Sequence, residues 1–206
     1  MSDTLYYAHD PMCSWCWGFR PAWQALRGQL PQQVRVVRLL GGLAPDSDEP
    51  MPEEMRRHLQ QTWHRIEQRI PGTRFNFAFW ERCQPRRSTY PACRALIAAR
   101  RQGDEYEEPM LLAIQEAYYL QARNPSDRST LVELAEEIGL DSLRFGAELD
   151  SESTRKRLLA EIATSRSLGL DSFPSLALET GGSRWPVAVA YTAPEAMLEQ
   201  IRMLVE

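Results

Sequence analysis

Two cysteines separated by two residues are the side chains of this sequence best suited to chemistry. Cys13 and Cys16 follow a short apolar stretch at residues 5–8 and open a stretch with helical periodicity that continues to residue 30. The first turn of a helix offers unpaired backbone N–H groups and the positive end of the helix dipole, which together stabilise a thiolate. A second thiol one turn later can attack a mixed disulfide formed by the first. The spacing therefore predicts Cys13 as the nucleophile of a redox pair and Cys16 as its resolving thiol.

Two other interpretations of the pair are weaker. Half of a zinc site would need two more ligands at a suitable spacing. The other cysteines and histidines offer no second pair of that kind; they are Cys83, Cys93, His9, His58 and His64. A structural disulfide across two residues would close a small, strained ring that is easily reduced. The sequence thus favours redox chemistry, and we predict no bound metal.

Length and charge narrow the function further. A chain of 206 residues that is 43% hydrophobic can bury the core of one domain, with or without an insertion. The net charge of −4 predicts no nucleic-acid partner, and no apolar run approaches the ~18 residues of a membrane helix. Residues 1–4 lack the basic and apolar segments of a secretory signal, so we expect a cytoplasmic location. Catalytic dithiols are more common in that compartment than structural disulfides.

The hydrophobic patterns predict a βαβ unit followed by a long helical region. Residues 4–8 and 34–40 are predicted as parallel strands joined by a helix over 13–30. From about Pro52 to Ser167 the pattern is helical. In the last of these helices we expect three apolar side chains to be buried, namely Leu158, Leu159 and Ile162.

Strands return near the end of the sequence. The stretch 169–178 is predicted to return to strand, and Gly181-Gly182 to form the hairpin turn before a final strand at 185–190. A capping box at 192–195 opens a closing helix that reaches Val205. The predicted fold class is therefore α/β.

Two motifs carry a resemblance to a known family. The order strand, Cys-x-x-Cys and then Pro21 resembles the thioredoxin superfamily. The segment Asp10-Pro11-Met12-Cys13-Ser14-Trp15-Cys16-Trp17 is similar to the DsbA-type branch, especially its FrnE-like members, which are described as predicted protein disulfide isomerases. The segment 169–178, which contains Phe173-Pro174, resembles the cis-proline loop of that superfamily. The resemblance implies that the Phe173–Pro174 peptide is cis and that this loop packs against the cysteine pair.

The resemblance also implies an architecture and an activity. The architecture is a thioredoxin fold with a large all-helical insertion: a discontinuous thioredoxin-like domain at 1–42 and 168–206, and an insertion at 43–167. The implied activity is that of a thiol–disulfide oxidoreductase. Its substrates would be protein or small-molecule disulfides and thiols, with glutathione among the candidates. No cofactor is implied, because the electrons reside in the sulfur atoms.

Further residues are assigned to the site. Pro174 joins the two cysteines as a catalytic residue, while Trp15 and Phe173 are predicted to form an apolar rim that binds substrate. His9 and Asp10 could adjust the chemistry of Cys13 or be ordinary residues at the end of a strand.

Two questions stay open at this point. Cys83 and Cys93 could form a second redox pair, although two buried, reduced cysteines fit the pattern better. The first rival function is a glutathione-dependent isomerase or transferase of the kappa or hydroxychromene-carboxylate type, against which the intact Cys13/Cys16 pair argues. The second rival is a binding module without catalysis.

Overall fold

Four strands form one mixed sheet. The structure is a computed structural model and describes residues 3–205. Its strands are β1 (Thr4–His9), β2 (Arg35–Leu40), β3 (Ser175–Thr180) and β4 (Ser183–Val187), and their order in the sheet is β2-β1-β3-β4. β1 pairs parallel with β2 and antiparallel with β3, while β3 and β4 form an antiparallel hairpin. The predicted parallel βαβ unit is confirmed. The predicted hairpin turn is confirmed as well, and both of its glycines, Gly181 and Gly182, have a positive φ.

Helices make up most of the remaining chain. They are α1 (Ser14–Arg27), α2 (Glu53–Arg69), α3 (Phe79–Arg82), α4 (Tyr90–Arg100), α5 (Glu107–Tyr119), α6 (Arg128–Glu137), α7 (Ser142–Leu149), α8 (Glu152–Ser167) and α9 (Pro194–Val205), with a short 3₁₀ turn at Asp104–Tyr106. Among residues 3–205, no helix is long and apolar enough to cross a membrane.

The contacts within the chain separate it into two units. The first contains the described residues up to Gly41 and those from Glu161 onward, and the second runs from Gly42 to Ala160. The boundary between Ala160 and Glu161 falls inside α8, whereas the predicted boundary after residue 167 coincides with the end of this helix. The helical region lies between β2 and β3 in the sequence, so the predicted fold class, α/β with a large helical insertion, is confirmed.

The sheet of the first unit is apolar on both faces. On one face, residues of β1 and β3 pack with α1 and α9, and α1 contributes Phe19, Trp23 and Leu26 at helical spacing. On the other face lies a smaller cluster of Ala8, Leu170 and Ala177, against which Phe173 packs. The side chains of this second face are short at Ala8 and Ala177.

The second unit has an aromatic core. Trp63 of α2 is only 1% exposed and stacks on Phe75 with 4.8 Å between the ring centroids. The rings of Phe79, Trp80 and Tyr119 also lie around Trp63. The aromatic segment between residues 75 and 80 is therefore part of the core.

Four details differ from the sequence prediction. The strand β3 begins only at Ser175 and not at residue 169, since Pro174 just before it has no N–H group to join the sheet. The helix α1 ends at Arg27, with Gly28 as its C-cap, and not at residue 30. The strand β4 ends at Val187, and the backbone N–H of the next residue, Ala188, donates to the Gln200 side chain of α9 at 3.0 Å. The prediction that Leu159 is buried is wrong: it is 49% exposed, whereas Leu158 is 1% exposed. Successive residues on a helix point about 100° apart, and Leu159 lies on the side of α8 that turns away from the core around Leu158.

Candidate active site

A tight turn after β1 places Cys13 at the start of α1. The backbone carbonyl of Asp10 accepts a hydrogen bond from the Cys13 N–H at 3.1 Å, and the Asp10 carboxylate accepts one from the Met12 N–H at 2.8 Å. Cys13 is the N-cap residue of α1 in an extended conformation, and its carbonyl accepts the first helical bond from Trp17 at 3.0 Å. The Cys13 side chain does not cap the helix, so its sulfur is available to other partners.

The Cys13 sulfur finds its partner in the loop before β3. The Cys13 thiol donates a hydrogen bond to the backbone carbonyl of Phe173, with 3.3 Å between Sγ and the oxygen. The Phe173–Pro174 peptide is cis, and Pro174 is buried. The structure thus brings together the two motifs that carried the resemblance. One motif comes from each of the two sequence segments that form the first unit.

Cys16 lies one turn along α1 and is 2% exposed. Burial raises the pKa of the Cys16 thiol well above its ordinary value, and a hydrogen bond with the Cys13 side chain and the charge of Cys13 add to the effect. Both thiols are free, and Cys13 is itself only 6% exposed. The pair is therefore a dithiol whose second member resists ionisation.

The aromatic side chains predicted to form a rim are only partly exposed. Trp15 is half-buried and lies against Tyr191, with 5.3 Å between the ring centroids. Tyr191 in turn meets Phe19 of the core edge-on at 5.7 Å. Tyr191 was not singled out from the sequence, because a lone tyrosine between a strand and a capping box carries no distinguishing pattern.

Phe173 has a different environment from Trp15. It is half-buried, and its ring lies against the backbone of Gly41, just after β2, and against the small-residue face of the sheet. The Phe173 backbone carbonyl, rather than its ring, is the part that meets the Cys13 sulfur.

His9 and Asp10 are both buried at the end of β1, at 1% and 0% exposure. The His9 ring stacks on Tyr7 with 5.0 Å between the ring centroids, and its backbone carbonyl accepts from the Gly41 N–H at 2.8 Å. The Asp10 charge is a minor contribution to the raised pKa of Cys16. Asp10 therefore holds the turn that carries the cysteines through its two hydrogen bonds, whereas His9 packs at the end of β1.

The remaining cysteines belong to the second unit, and both are free thiols. Cys83 is half-buried and donates to the carbonyl of Ala122 at 3.1 Å; burial, followed by the charge of Asp127, raises the pKa of this thiol. Cys93 is fully buried in α4. A raised pKa and full burial are features of thiols with low reactivity.

Comparisons with known proteins agree with this geometry. A family model described as Thioredoxin matches residues 6–180. The crystal structure of a candidate protein disulfide isomerase from Nitrosomonas europaea has a TM-score of 0.83 and 29% identity, covering 98% of this chain and 97% of that one. The cytosolic disulfide reductase DsbM from Pseudomonas aeruginosa has a TM-score of 0.78 and 27% identity, with 97% of each chain covered, and it is also known in a structure with GSH.

A curated relative has a different kind of name. The ClpXP adapter protein SpxH of Bacillus subtilis is 27% identical over 202 residues, which cover 94% of this chain and 66% of the relative. For three further SpxH proteins the share of the relative covered is 56%, so the chain spans well short of the full length of these relatives.

The family match extends from β1 to the end of β3, and the structural neighbours above 25% identity align over almost their whole length. Both include the segments that contain the cysteine pair and the cis-proline loop. The chain therefore belongs to the thioredoxin family, in its DsbA-type branch.

Proposed function

We propose that this protein is a thiol–disulfide oxidoreductase in which Cys13 attacks the substrate and Cys16 resolves the intermediate. One observation carries the proposal: two free thiols at the start of α1 are hydrogen-bonded to each other, and the first of them also meets the Phe173 carbonyl. A pair arranged in this way can alternate between a dithiol and a disulfide without movement of distant parts of the chain.

In the reducing direction the reaction has two steps. The Cys13 thiolate attacks one sulfur of a substrate disulfide, forms a mixed disulfide with it and releases the other sulfur as a thiolate. The Cys16 thiol then loses its proton and attacks the Cys13 sulfur, which forms the Cys13–Cys16 disulfide and releases the second substrate thiolate. The substrate gains two electrons and the protein loses two. A thiol of low molecular weight, such as glutathione, or a reduced dithiol protein would return the pair to the dithiol state.

The difference between the two thiols supports the proposed order of attack. Cys16 is buried and its pKa is raised, so few Cys16 thiolates exist near neutral pH to attack a substrate from solution. Once Cys13 is in a mixed disulfide, however, Cys16 has its target one helical turn away. Proximity then compensates for the small thiolate fraction.

The loop before β3 supplies a docking edge for substrate. Phe173 directs its carbonyl at the Cys13 sulfur, and a backbone polar group in this position can pair with an extended chain. Pro174 has a fixed φ and no N–H group, so it restricts the loop that carries this carbonyl. Trp15 adds a partly exposed apolar surface between the two cysteines. We assign Cys13, Cys16 and Pro174 to the reaction, and Trp15 and Phe173 to substrate binding.

The relatives support the class of substrate and the compartment. DsbM is described as a cytosolic disulfide reductase and is known in a structure with GSH. We infer a cytoplasmic protein that acts on protein or small-molecule disulfides, with glutathione as a substrate or reductant. The reaction requires no bound cofactor, because both electrons are held by sulfur.

The names of the curated relatives favour one second candidate, a protein adapter. An adapter would need a binding surface, but not two thiols that react in sequence. A variant in which both Cys13 and Cys16 are replaced by serine separates the candidates, because it abolishes disulfide exchange and leaves the rest of the surface intact.

The test of the proposed function is a single-turnover assay with a disulfide-containing protein such as insulin. The reduced wild-type protein should convert the substrate disulfide to thiols and emerge with a Cys13–Cys16 disulfide, whereas Cys13→Ser should do neither. Cys93→Ala serves as a matched control and should behave like the wild type. Equal reduction by the wild type and by Cys13→Ser would refute the proposal.

A further inference from the structure

Gly41 is the residue that follows β2, and it lies directly beneath the ring of Phe173. A Cβ atom at position 41 would lie 1.9 Å from Cε1 and 2.0 Å from Cζ of that ring. Carbon atoms in contact are about 3.5–4.0 Å apart, so no side chain at all fits here while the ring keeps its position. Absence of a side chain at position 41 is thus a condition for the observed placement of Phe173.

The end of β2 is held in place and cannot yield to relieve such a clash. The Gly41 N–H donates to the His9 carbonyl at 2.8 Å and continues the pairing of β2 with β1. The preceding Leu40 N–H donates to the Glu161 carboxylate at 3.2 Å, and Glu161 is itself buried. With the backbone fixed on both sides of Leu40, the Phe173 ring is the group that would have to move.

The ring also packs against a buried cluster of the sheet. It packs against the cluster of Ala8, Leu170 and Ala177, which are 0%, 5% and 3% exposed. Extra atoms forced against a packed side chain push it off its rotamer and shift the backbone that carries it. The Phe173 carbonyl would then leave its position 3.3 Å from the Cys13 sulfur.

We propose that Gly41 is a positioning residue of the site, which seats the Phe173 ring against the end of β2 and so holds the Phe173 carbonyl at the Cys13 sulfur. This inference rests on the proposed function and deepens it. Gly41 does not touch the reacting atoms. It acts through Phe173 and determines how well an extended substrate pairs with the loop before β3.

The proposal predicts a selective defect in Gly41→Ala. The value of kcat/KM for an extended peptide with a disulfide should fall on the order of 10- to 100-fold, because a displacement of about 1 Å can cost this much. The value for hydroxyethyl disulfide, which has no peptide backbone to pair with the loop, should change less than threefold. A general loss of folded protein would lower both values equally.

Gly28→Ala is the matched control. Gly28 caps α1 with φ of −68°, and a Cβ atom there would meet its nearest neighbours at 3.5 and 3.8 Å, which are ordinary contact distances. This variant carries the same change in the same unit without a clash. Both of its kcat/KM values should stay within twofold of the wild type.

A second pair of variants identifies the ring as the cause. In a Phe173→Ala background the ring is absent, so adding Gly41→Ala should change neither kcat/KM value further. This comparison also keeps the proposal testable if Gly41→Ala alone does not fold, because removing the ring removes the clash and the double variant should fold. The proposal is overturned if Gly41→Ala is as harmful without the ring as with it, or if Gly41→Ala folds and retains the wild-type preference for the peptide. A wild-type protein inactive on both disulfides would refute the proposed function instead.

Discussion

The thiol of Cys13 and the carbonyl of Phe173, 160 positions apart in the sequence, are joined by a hydrogen bond of 3.3 Å. The sheet explains how they meet. The pairing of β1 with β3 is antiparallel and places Ala8 opposite Ser175 at one end of both strands. The chain leaves β1 towards Cys13 at this end and enters β3 from Phe173 at the same end. The register of two strands therefore forms the site, with the whole helical region between them in the sequence.

The pH dependence of the second chemical step should follow Cys16. The pKa of Cys16 is raised chiefly by burial. Burial persists after Cys13 has formed a mixed disulfide, whereas the charge of Cys13 is lost in that intermediate. Cys16 is thus protonated at neutral pH, and its thiolate fraction rises about tenfold per pH unit below its pKa. We therefore expect the rate at which the second substrate thiol is released to increase from pH 6 to pH 9. Rapid-quench experiments at each pH measure this rate. A release rate that is flat above pH 7 would show that Cys16 is already ionised.

Replacement of Trp15 should weaken binding of large substrates. Its half-buried indole, supported by Tyr191 at 5.3 Å, offers apolar surface between the cysteines. In Trp15→Ala, KM for a protein disulfide should rise severalfold while kcat changes little, because an aromatic contact at a binding surface contributes about 1–2 kcal/mol. Trp185→Ala is the control, since Trp185 is 47% exposed on β4 and pairs with Leu178. An equal rise in KM in both variants would argue against a specific role for Trp15.

The neighbouring leucines of α8 should differ in their contribution to stability. Leu158→Ala removes a side chain that is 1% exposed and should lower the free energy of unfolding by about 2–5 kcal/mol. Leu159→Ala removes one that is 49% exposed and should change it by no more than about 0.5 kcal/mol. Urea denaturation of the two variants measures both values. A similar cost for each would mean that Leu159 is buried after all.

The cysteines of the second unit should be dispensable for catalysis. Cys93 is fully buried in α4, so Cys93→Ala should cost about 1 kcal/mol of stability through lost packing. Cys83→Ala should cost less, because Cys83 is only half-buried. The double variant should reduce disulfides at the wild-type rate in a steady-state assay. If it folds but loses this activity, these cysteines take part in the redox chemistry.

Much of the site could be predicted because its signals are local. The spacing of Cys13 and Cys16 alone indicates two thiols on one helical turn, and Gly181-Gly182 alone indicates a tight hairpin. The resemblance then linked Pro174 to the cysteines, an association that no short-range pattern contains.

The features that were missed depend on packing between distant segments. Whether Leu158 or Leu159 faces inward depends on the phase of α8, and two adjacent leucines do not fix this phase. The support that Tyr191 gives to Trp15 arises from the path of the chain after β4. The contact of Gly41 with Phe173 is equally hidden, because a glycine after a strand suggests only that the strand ends.

The assignment of Cys13 as nucleophile and Cys16 as resolving thiol is tested most directly by the variant Cys16→Ser. Without Cys16, attack by Cys13 proceeds, but nothing in the pair can displace the bound substrate. Cys13 of this variant, recovered from cells and analysed by non-reducing electrophoresis and mass spectrometry, should carry adducts of proteins or glutathione that dithiothreitol removes. The wild type and Cys13→Ser should carry few. A Cys16→Ser protein free of adducts that still isomerises an aromatic substrate with glutathione would contradict the account and favour a glutathione-dependent isomerase.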